Sequence, residues 1–359
     1  MAALHLLLFT LCFAIDGNSR PRIANNGQIF NCIDFYKQPA YENHSLNLQE
    51  VPNLAKLQQQ QSASDFGLEG QRCPFGTVPI MVRSKMNLDG FVVSRLHSLP
   101  PYAIENRDLH CSAKVRTRAN NPNKKFFGAH ASLTIFKPLV QSSQWSSARV
   151  KLLNGAESME AGWMVNPKIF KDNEAHLYGS FSAGGKSCIN MDCPGFVQVS
   201  TAVPLGVASP VYSVIGGQKF EWSISIEKHR DDGNWWLTVG SVKVGYWPKN
   251  LFTALKDIAN QVEYGGEIDD PGMVNPPPAM GNGRQATSDT KESSFIYQVT
   301  VVDESFNNVN PPDTESFEDY LGYYYSDLED GPCLFKKFIV DFDGVLEDCE
   351  EGKIDDMAD

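Results

Sequence analysis

From about Phe126 the chain breaks into short runs in which apolar and polar side chains alternate. The runs are HASLTIF (130–136), MEAGWMV (159–165), GFVQVS (195–200), FEWSISIE (220–227), WWLTVGSVKVGYW (235–247) and FIYQVTVVD (295–303), separated by glycine, proline and Asn/Asp turns. A period of two places alternate side chains on opposite faces of a strand. The pattern therefore predicts antiparallel strands, each with one face turned to a core. One stretch departs from it: Leu251, Leu255, Ile258 and Val262 recur at helical spacing after Pro248 and predict an amphipathic helix. Residues 270–292 are rich in proline, glycine and polar side chains and predict a long loop. No fixed-period repeat is present, so a sandwich fits better than a propeller. The fold class expected is mainly β, a two-sheet antiparallel β-sandwich over residues 120–359.

Upstream the texture differs. Residues 20–110 contain few long apolar runs and predict a small α+β accessory unit. Its glutamine run, within NLAKLQQQQSAS, reads as a solvated helix or a loop. Asn87 to Leu99 reads as a short helix ending before Pro100-Pro101. The first residues, MAALHLLLFTLCFAIDGNS, are almost all apolar from Ala2 to Ile15. That stretch matches the core of a signal peptide and is too short to span a bilayer. A signal over residues 1–18 is expected, with cleavage near Gly17 to Ser19. No other segment is long and apolar enough to cross a membrane, so no membrane association is expected after its removal.

Composition narrows the function classes. The chain has 359 residues and a formal net charge of -12, with a pI near 5.1. A nucleic-acid partner is not expected, because phosphate binding calls for a basic surface. The acidity suits a protein kept soluble outside the cell or in an acidic lumen, and a monomer is expected. Of eight cysteines, Cys12 leaves with the signal. Pairing of most of the others is expected in an oxidising compartment. Cys188 and Cys193 are close enough to close a small loop, and Cys333 with Cys349 would pin the C-terminal segment. No Cys-x-x-Cys pair occurs and the histidines are scattered, so no metal site is expected. Asn43 heads the one glycosylation sequon, Asn43-His44-Ser45.

The candidate chemistry lies in two glutamates. Glu160 sits in the strand-like run SMEAGWMVNP, and Glu267 ends EYGGE, where Gly265-Gly266 predicts a sharp turn. They are 107 residues apart in the sequence, and strands that distant can be neighbours in a sandwich. Two carboxyls held close do not readily both ionise, so they share a proton. The protonated member then polarises a carbonyl while the ionised one deprotonates water. Taken alone the pair is a weak signal, because the chain carries 43 acidic residues and most glutamates are simply solvated. Other motifs fail on context. FIVDFDGVL (338–346) mimics a phosphatase nucleophile motif but lies too near the chain end to open an α/β domain. DFDGVLEDCEE has its glycine in the wrong place for an EF-hand loop. No nucleophile elbow, P-loop or dinucleotide fingerprint is present.

Several stretches, in order, give the pair weight: NCIDFYKQPAY and CPFGTVPI upstream, then MEAGWMVNP, CPGFVQVS, GNWWL (233–237), VGYWP (244–248) and EYGGEI. This series resembles the neprosin family of secreted plant proteins. The resemblance covers nearly the whole chain after the signal. It implies a glutamic endopeptidase that hydrolyses peptide bonds next to proline, with proline-containing peptides or proteins as substrates and no cofactor. It matches Glu160 and Glu267 to the two catalytic glutamates and residues 20–115 to an activation peptide removed at acidic pH. Trp163, Trp236, Tyr246 and Trp247 are then candidates for substrate contact, since prolyl rings stack on aromatic faces; ordinary core packing is the alternative for each. The pattern also departs from the family. FKDN (170–173), SFSAGG (180–185) and NPPPAMGNG (275–283) replace stretches usually conserved in type there. The rival expectation is a catalytically weak or inactive sandwich with a cell-wall, glycan or peptide-binding role.

Overall fold

The fold is described from a computed structural model. The structure describes residues 21–24, 27–41, 54–59, 68, 71–82, 108–118, 124–271, 274, 276–284, 287, 289–321 and 338–340. The expected signal, the helix over 87–99, Asn43, Cys333 and Cys349 lie outside them.

Along the chain, an N-terminal unit carries β1 (Arg22–Ile23), β2 (Ile29–Asp34), α1 (Leu54–Gln59) and β3 (Thr77–Met81). Then follow β4 (Asp108–Thr117), β5 (Gly128–Thr134), β6 (Trp145–Asn154), β7 (Glu157–Val165), α2 (Pro167–Phe170), β8 (His176–Ala183) and β9 (Lys186–Ile189). After these come β10 (Val197–Gln198), β11 (Glu221–Lys228), β12 (Trp235–Val239), β13 (Val242–Trp247) and β14 (Gln261–Pro271). The last are β15 (Ser294–Val302), β16 (Asn308–Val309), β17 (Thr314–Leu321) and β18 (Phe338–Val340). Among the described residues they form three sheets. A seven-stranded sheet runs β17-β4-β14-β6-β7-β8-β9, and an eight-stranded sheet runs β10-β13-β12-β11-β5-β15-β16 with β18 beside β15. Pairing is antiparallel except between β15 and β18. The third sheet, β1-β2-β3, belongs to the N-terminal unit. The protein is thus mainly β and sandwich-like, as expected. The larger sandwich begins at β4, because that strand pairs with β14 and β17.

The alternating runs explain the layering. Met159, Ala161, Trp163 and Val165 of β7 join the main core, together with Ala148, Val150 and Leu152 of β6 and Ile224, Trp235, Leu237 and Trp247 of the opposite sheet. The Trp163 indole N–H donates to the carbonyl of Thr134 on β5 at 2.9 Å, so one of the core tryptophans also joins the two layers. The intervening residues of β6 and β7 point to the outer face of the seven-stranded sheet, where Arg149, Lys151 and Glu160 are charged and Met164 joins a small apolar cluster with Trp145, Ile169, Tyr178 and Ile189. Every residue of β7 is nonetheless buried. That outer face is covered as well.

Two expectations are corrected. The run from Leu251 to Val262 forms no α-helix: a 3-10 turn spans Lys249–Leu251 and turns follow. The reason is competition for backbone donors. The Glu157 carboxylate accepts from the N–H groups of Thr253, Ala254 and Leu255, and Ala259 exchanges hydrogen bonds with Phe126, so no ladder propagates. Val262 belongs to β14. Gly265-Gly266 is likewise no turn, because both glycines lie within that eleven-residue strand.

The N-terminal unit is fastened to the sandwich by three glutamine amides. Gln38 donates to the Gln198 carbonyl and accepts from the Gln198 N–H, completing the hydrogen bonds of β10. Gln58, in the run read as solvated, is buried and donates to the Val199 carbonyl while accepting from Gly76 N–H. Gln28 accepts from Ala208 N–H and donates to the Gly206 carbonyl. Between them Phe35, Ala40 and Val78 pack on Val197, Val199, Trp236 and Tyr246. Disulfides join Cys32 to Cys73 and, as expected, Cys188 to Cys193. No helix among the described residues is long and apolar enough to cross a membrane.

Candidate functional site

Three adjacent strands, β14, β6 and β7, build the centre of the seven-stranded sheet. Their register fixes what meets on the outer face. Glu160 of β7 stands opposite Lys151 of β6, and Lys151 stands opposite Glu263 of β14. Two residues along β6, Arg149 is flanked by Gly162 on one side and Gly265 on the other. Two residues further, Ser147 stands opposite Glu267. The two glutamates therefore approach Arg149 from opposite corners, over a row in which both neighbours lack a side chain.

The glycines are required there. A Cβ on Gly162 would sit 1.9 Å from the Ala148 carbonyl oxygen, and one on Gly265 would sit 2.3 Å from the Ala113 carbonyl oxygen. Both contacts are with neighbouring backbone, which has no rotamer by which to yield.

The guanidinium joins the pair. Arg149 Nε lies 3.1 Å from Glu160 Oε2, and Arg149 Nη2 binds Glu267 Oε1. The same Nη2 is 3.6 Å from Glu263 Oε2. Lys151 Nζ is 3.4 Å from Glu160 Oε2, and Lys114 Nζ of β4 is 3.1 Å from Glu263 Oε2. The Tyr178 hydroxyl of β8 donates to Glu160 Oε1 at 3.2 Å. Arg149, Lys151, Glu160, Glu263 and Glu267 are all buried, none more than 3% exposed. Three carboxylates and three cations thus form one closed cluster, the arrangement that makes charge burial tolerable.

Its electrostatics follow from that balance. Burial pulls the Arg149 pKa down, but Glu267, Glu160 and Glu263 outweigh it and hold the guanidinium firmly charged. Burial raises the Glu263 carboxyl, yet Lys114, Lys151 and Arg149 bring it down to about 2. Burial, and then the Glu160 charge, push the Tyr178 phenol well above 10. Burial lowers Lys114, and Glu263 offsets part of that fall.

The structure brings Glu160 and Glu267 together and places the four candidate aromatics elsewhere. Trp163 and Trp247 lie between the sheets in the main core. Trp236 and Tyr246 stack on each other, with ring centroids 4.8 Å apart. They lie on the outer face of the eight-stranded sheet, under the N-terminal unit. Arg149, Lys151, Glu263 and Tyr178 were not anticipated. For the first two a signal was available, since Ala148-Arg149-Val150-Lys151-Leu152 alternates strictly. Of the departing stretches, FKDN ends α2 and supplies Asp172, which pairs with His176 at 2.7 Å. SFSAGG forms the end of β8 and its turn into β9. In the third, Asn282 ties its loop to Glu292 and Ser294. No group of side chains suited to a metal ion occurs among the described residues.

A two-sheet β-sandwich carrying a buried pair of glutamates on one face defines the class of protein. A family model described as Neprosin matches residues 142–338, more than half of the chain and including both glutamates. The chain belongs to the neprosin family, and membership is consistent with peptidase activity.

Proposed function

We propose that the protein is a secreted glutamic endopeptidase that hydrolyses peptide bonds next to proline, with Glu160 and Glu267 as its acid–base pair. The observation that carries this reading is the convergence of two motif glutamates, distant in sequence, on a single guanidinium. Family membership supports the peptidase class, and the resemblance described above supports the proline preference. In the reaction, one glutamate is a carboxylate and takes a proton from water as the water oxygen bonds to the peptide carbonyl carbon. The other, protonated, gives its proton to the carbonyl oxygen. Collapse of the tetrahedral intermediate returns that proton and breaks the C–N bond, and the first glutamate protonates the departing amine. No covalent enzyme intermediate forms.

The burial of the pair fits a latent form in which substrate has no access. In this reading, removal of the N-terminal segment at acidic pH activates the enzyme. The disulfides Cys32–Cys73 and Cys188–Cys193 fit an oxidising, extracellular compartment. One observation favours the rival of a non-catalytic sandwich: each glutamate is already engaged by a cation, as in a purely structural ion cluster. The readings separate when residues 20–359 are expressed in a secretory host, acidified, and incubated with a proline-containing peptide beside the Glu160→Gln/Glu267→Gln variant. Cleavage beside proline by the wild type alone is expected. Absence of cleavage by a folded wild type from which the N-terminal segment has been removed would favour the rival.

A further inference from the structure

The proton-sharing mechanism needs one glutamate of the pair to be neutral, yet Arg149 offers both a full positive charge at ion-pair distance. The groups facing Arg149 come from every strand around it. They are Lys151 on its own strand, Glu263 and Glu267 on β14, Glu160 on β7, Lys114 on β4 and Tyr178 on β8. Glu263 is the third carboxylate of the cluster and is balanced chiefly by Lys114 at 3.1 Å. Arg149 is thus engaged chiefly by the two proposed catalytic glutamates and more weakly by Glu263. Its position is also structurally fixed, since Gly162 and Gly265 clear the row in which its side chain lies. An opposite charge at this range favours the ionised form of a carboxyl and depresses its pKa by about 1–3 units.

We propose that Arg149 is a positioning residue that spaces Glu160 and Glu267 and holds both as carboxylates, so that the site acquires its working proton only on acidification. The inference deepens the peptidase reading and rests on it. As pH falls, a solvent proton adds to one carboxylate of the pair and one ion pair to Arg149 is lost. The guanidinium remains bound to the other. Arg149 thereby sets the pH at which the pair becomes competent, independently of removal of the N-terminal segment.

The test compares the pH profile of kcat/KM for wild type, Arg149→Gln and Arg149→Lys, using full chain activated by acid. Arg149→Gln should move the profile to higher pH by about 1–3 units, while Arg149→Lys, which keeps the charge, should stay near the wild-type profile. A folded Arg149→Gln enzyme with an unmoved profile would overturn the proposal. Removing one partner of a buried ion cluster leaves the others uncompensated, so Arg149→Gln has a fold risk. A second measurement requires neither that variant nor turnover. Carboxyl NMR of the carbon-13-glutamate-labelled wild type, assigned with Glu160→Gln and Glu267→Gln, should show two carboxylates at neutral pH, one of which gains a proton on acidification. A pair already sharing a proton at neutral pH would refute the clamp. A silent wild type with two carboxylates at neutral pH would retain the clamp and remove the peptidase. An active wild type whose pair shares a proton at neutral pH would do the reverse.

Discussion

Gly162 and Gly265 show how much of the site is decided by single atoms. Each flanks Arg149 in the sheet, and each would drive a Cβ against a neighbouring backbone carbonyl. Alanine at Gly162 should therefore separate β7 from β6 and loosen the hold of Arg149 on Glu160. Overpacking of this kind destabilises by about 1–3 kcal/mol. Chemical denaturation of Gly162→Ala should show that loss, with a lower midpoint and an unchanged slope. A variant as stable as wild type would mean that the strands part at no cost and that the close approach is incidental. Such glycines carry no hydrophobic signal. In the sequence, Gly265-Gly266 reads as a turn because a glycine pair is a turn signal, whereas the requirement at Gly265 is the clearance of a neighbouring strand.

At the scale of elements, the runs with clean alternation became strands: β5, β7, β11, the β12–β13 hairpin and β15 all fall where the pattern placed them. Among the strands that escaped notice were the long β4, β6, β8, β14 and β17. Three of these carry charged side chains at close intervals along the outer face of the sheet, Lys114 and Arg116 on β4, Arg149 and Lys151 on β6, Glu263 and Glu267 on β14. Those charges read as solvated until the partner strands are known to bury them. That is also why the two glutamates were legible through their motifs while the cations between them were not. The N-terminal unit repeats the lesson, since Gln38 and Gln58 look like surface residues yet bond to the sandwich backbone, Gln38 as donor and acceptor and Gln58 as donor. Replacing a hydrogen-bonded buried group leaves its partners unsatisfied, a loss of about 1–3 kcal/mol each. Gln38→Ala/Gln58→Ala should therefore speed release of this unit. After limited proteolysis of the connecting segment at neutral pH, size-exclusion chromatography should show the unit leaving the double variant while it remains on the wild type. Equal retention would assign the docking to the remaining contacts, the Gln28 amide, the backbone bonds of Leu68 and Cys73 and the packing of Phe35, Ala40 and Val78.

For the whole molecule, the buried cluster ties stability to pH. Glu263 is held at about 2 against an ordinary value of 4.5, chiefly because Lys114, Lys151 and Arg149 outweigh burial. A carboxyl depressed on folding contributes stability that is complete above its unfolded pKa and disappears as pH falls through the folded one. The contribution from Glu263 should be intact above about pH 4.5 and fade toward pH 2, by an amount on the order of 3 kcal/mol. Denaturant midpoints collected between pH 5 and pH 2 should fall more steeply for wild type than for Glu263→Gln. Parallel curves would show that Glu263 does not take part in the linkage. The same window bears on function, because an acid-activated enzyme must gain its catalytic proton before it loses this support.

The measurement closest to the central claim is kcat/KM for cleavage beside proline at acidic pH by Glu160→Gln and Glu267→Gln separately, each checked for fold by circular dichroism. A general acid or base contributes about 10²–10⁴-fold, so each single variant should lose at least about 100-fold while keeping its β-sheet spectrum. A folded variant that cleaves at the wild-type rate would remove that glutamate from the mechanism and leave the pair a structural ion cluster.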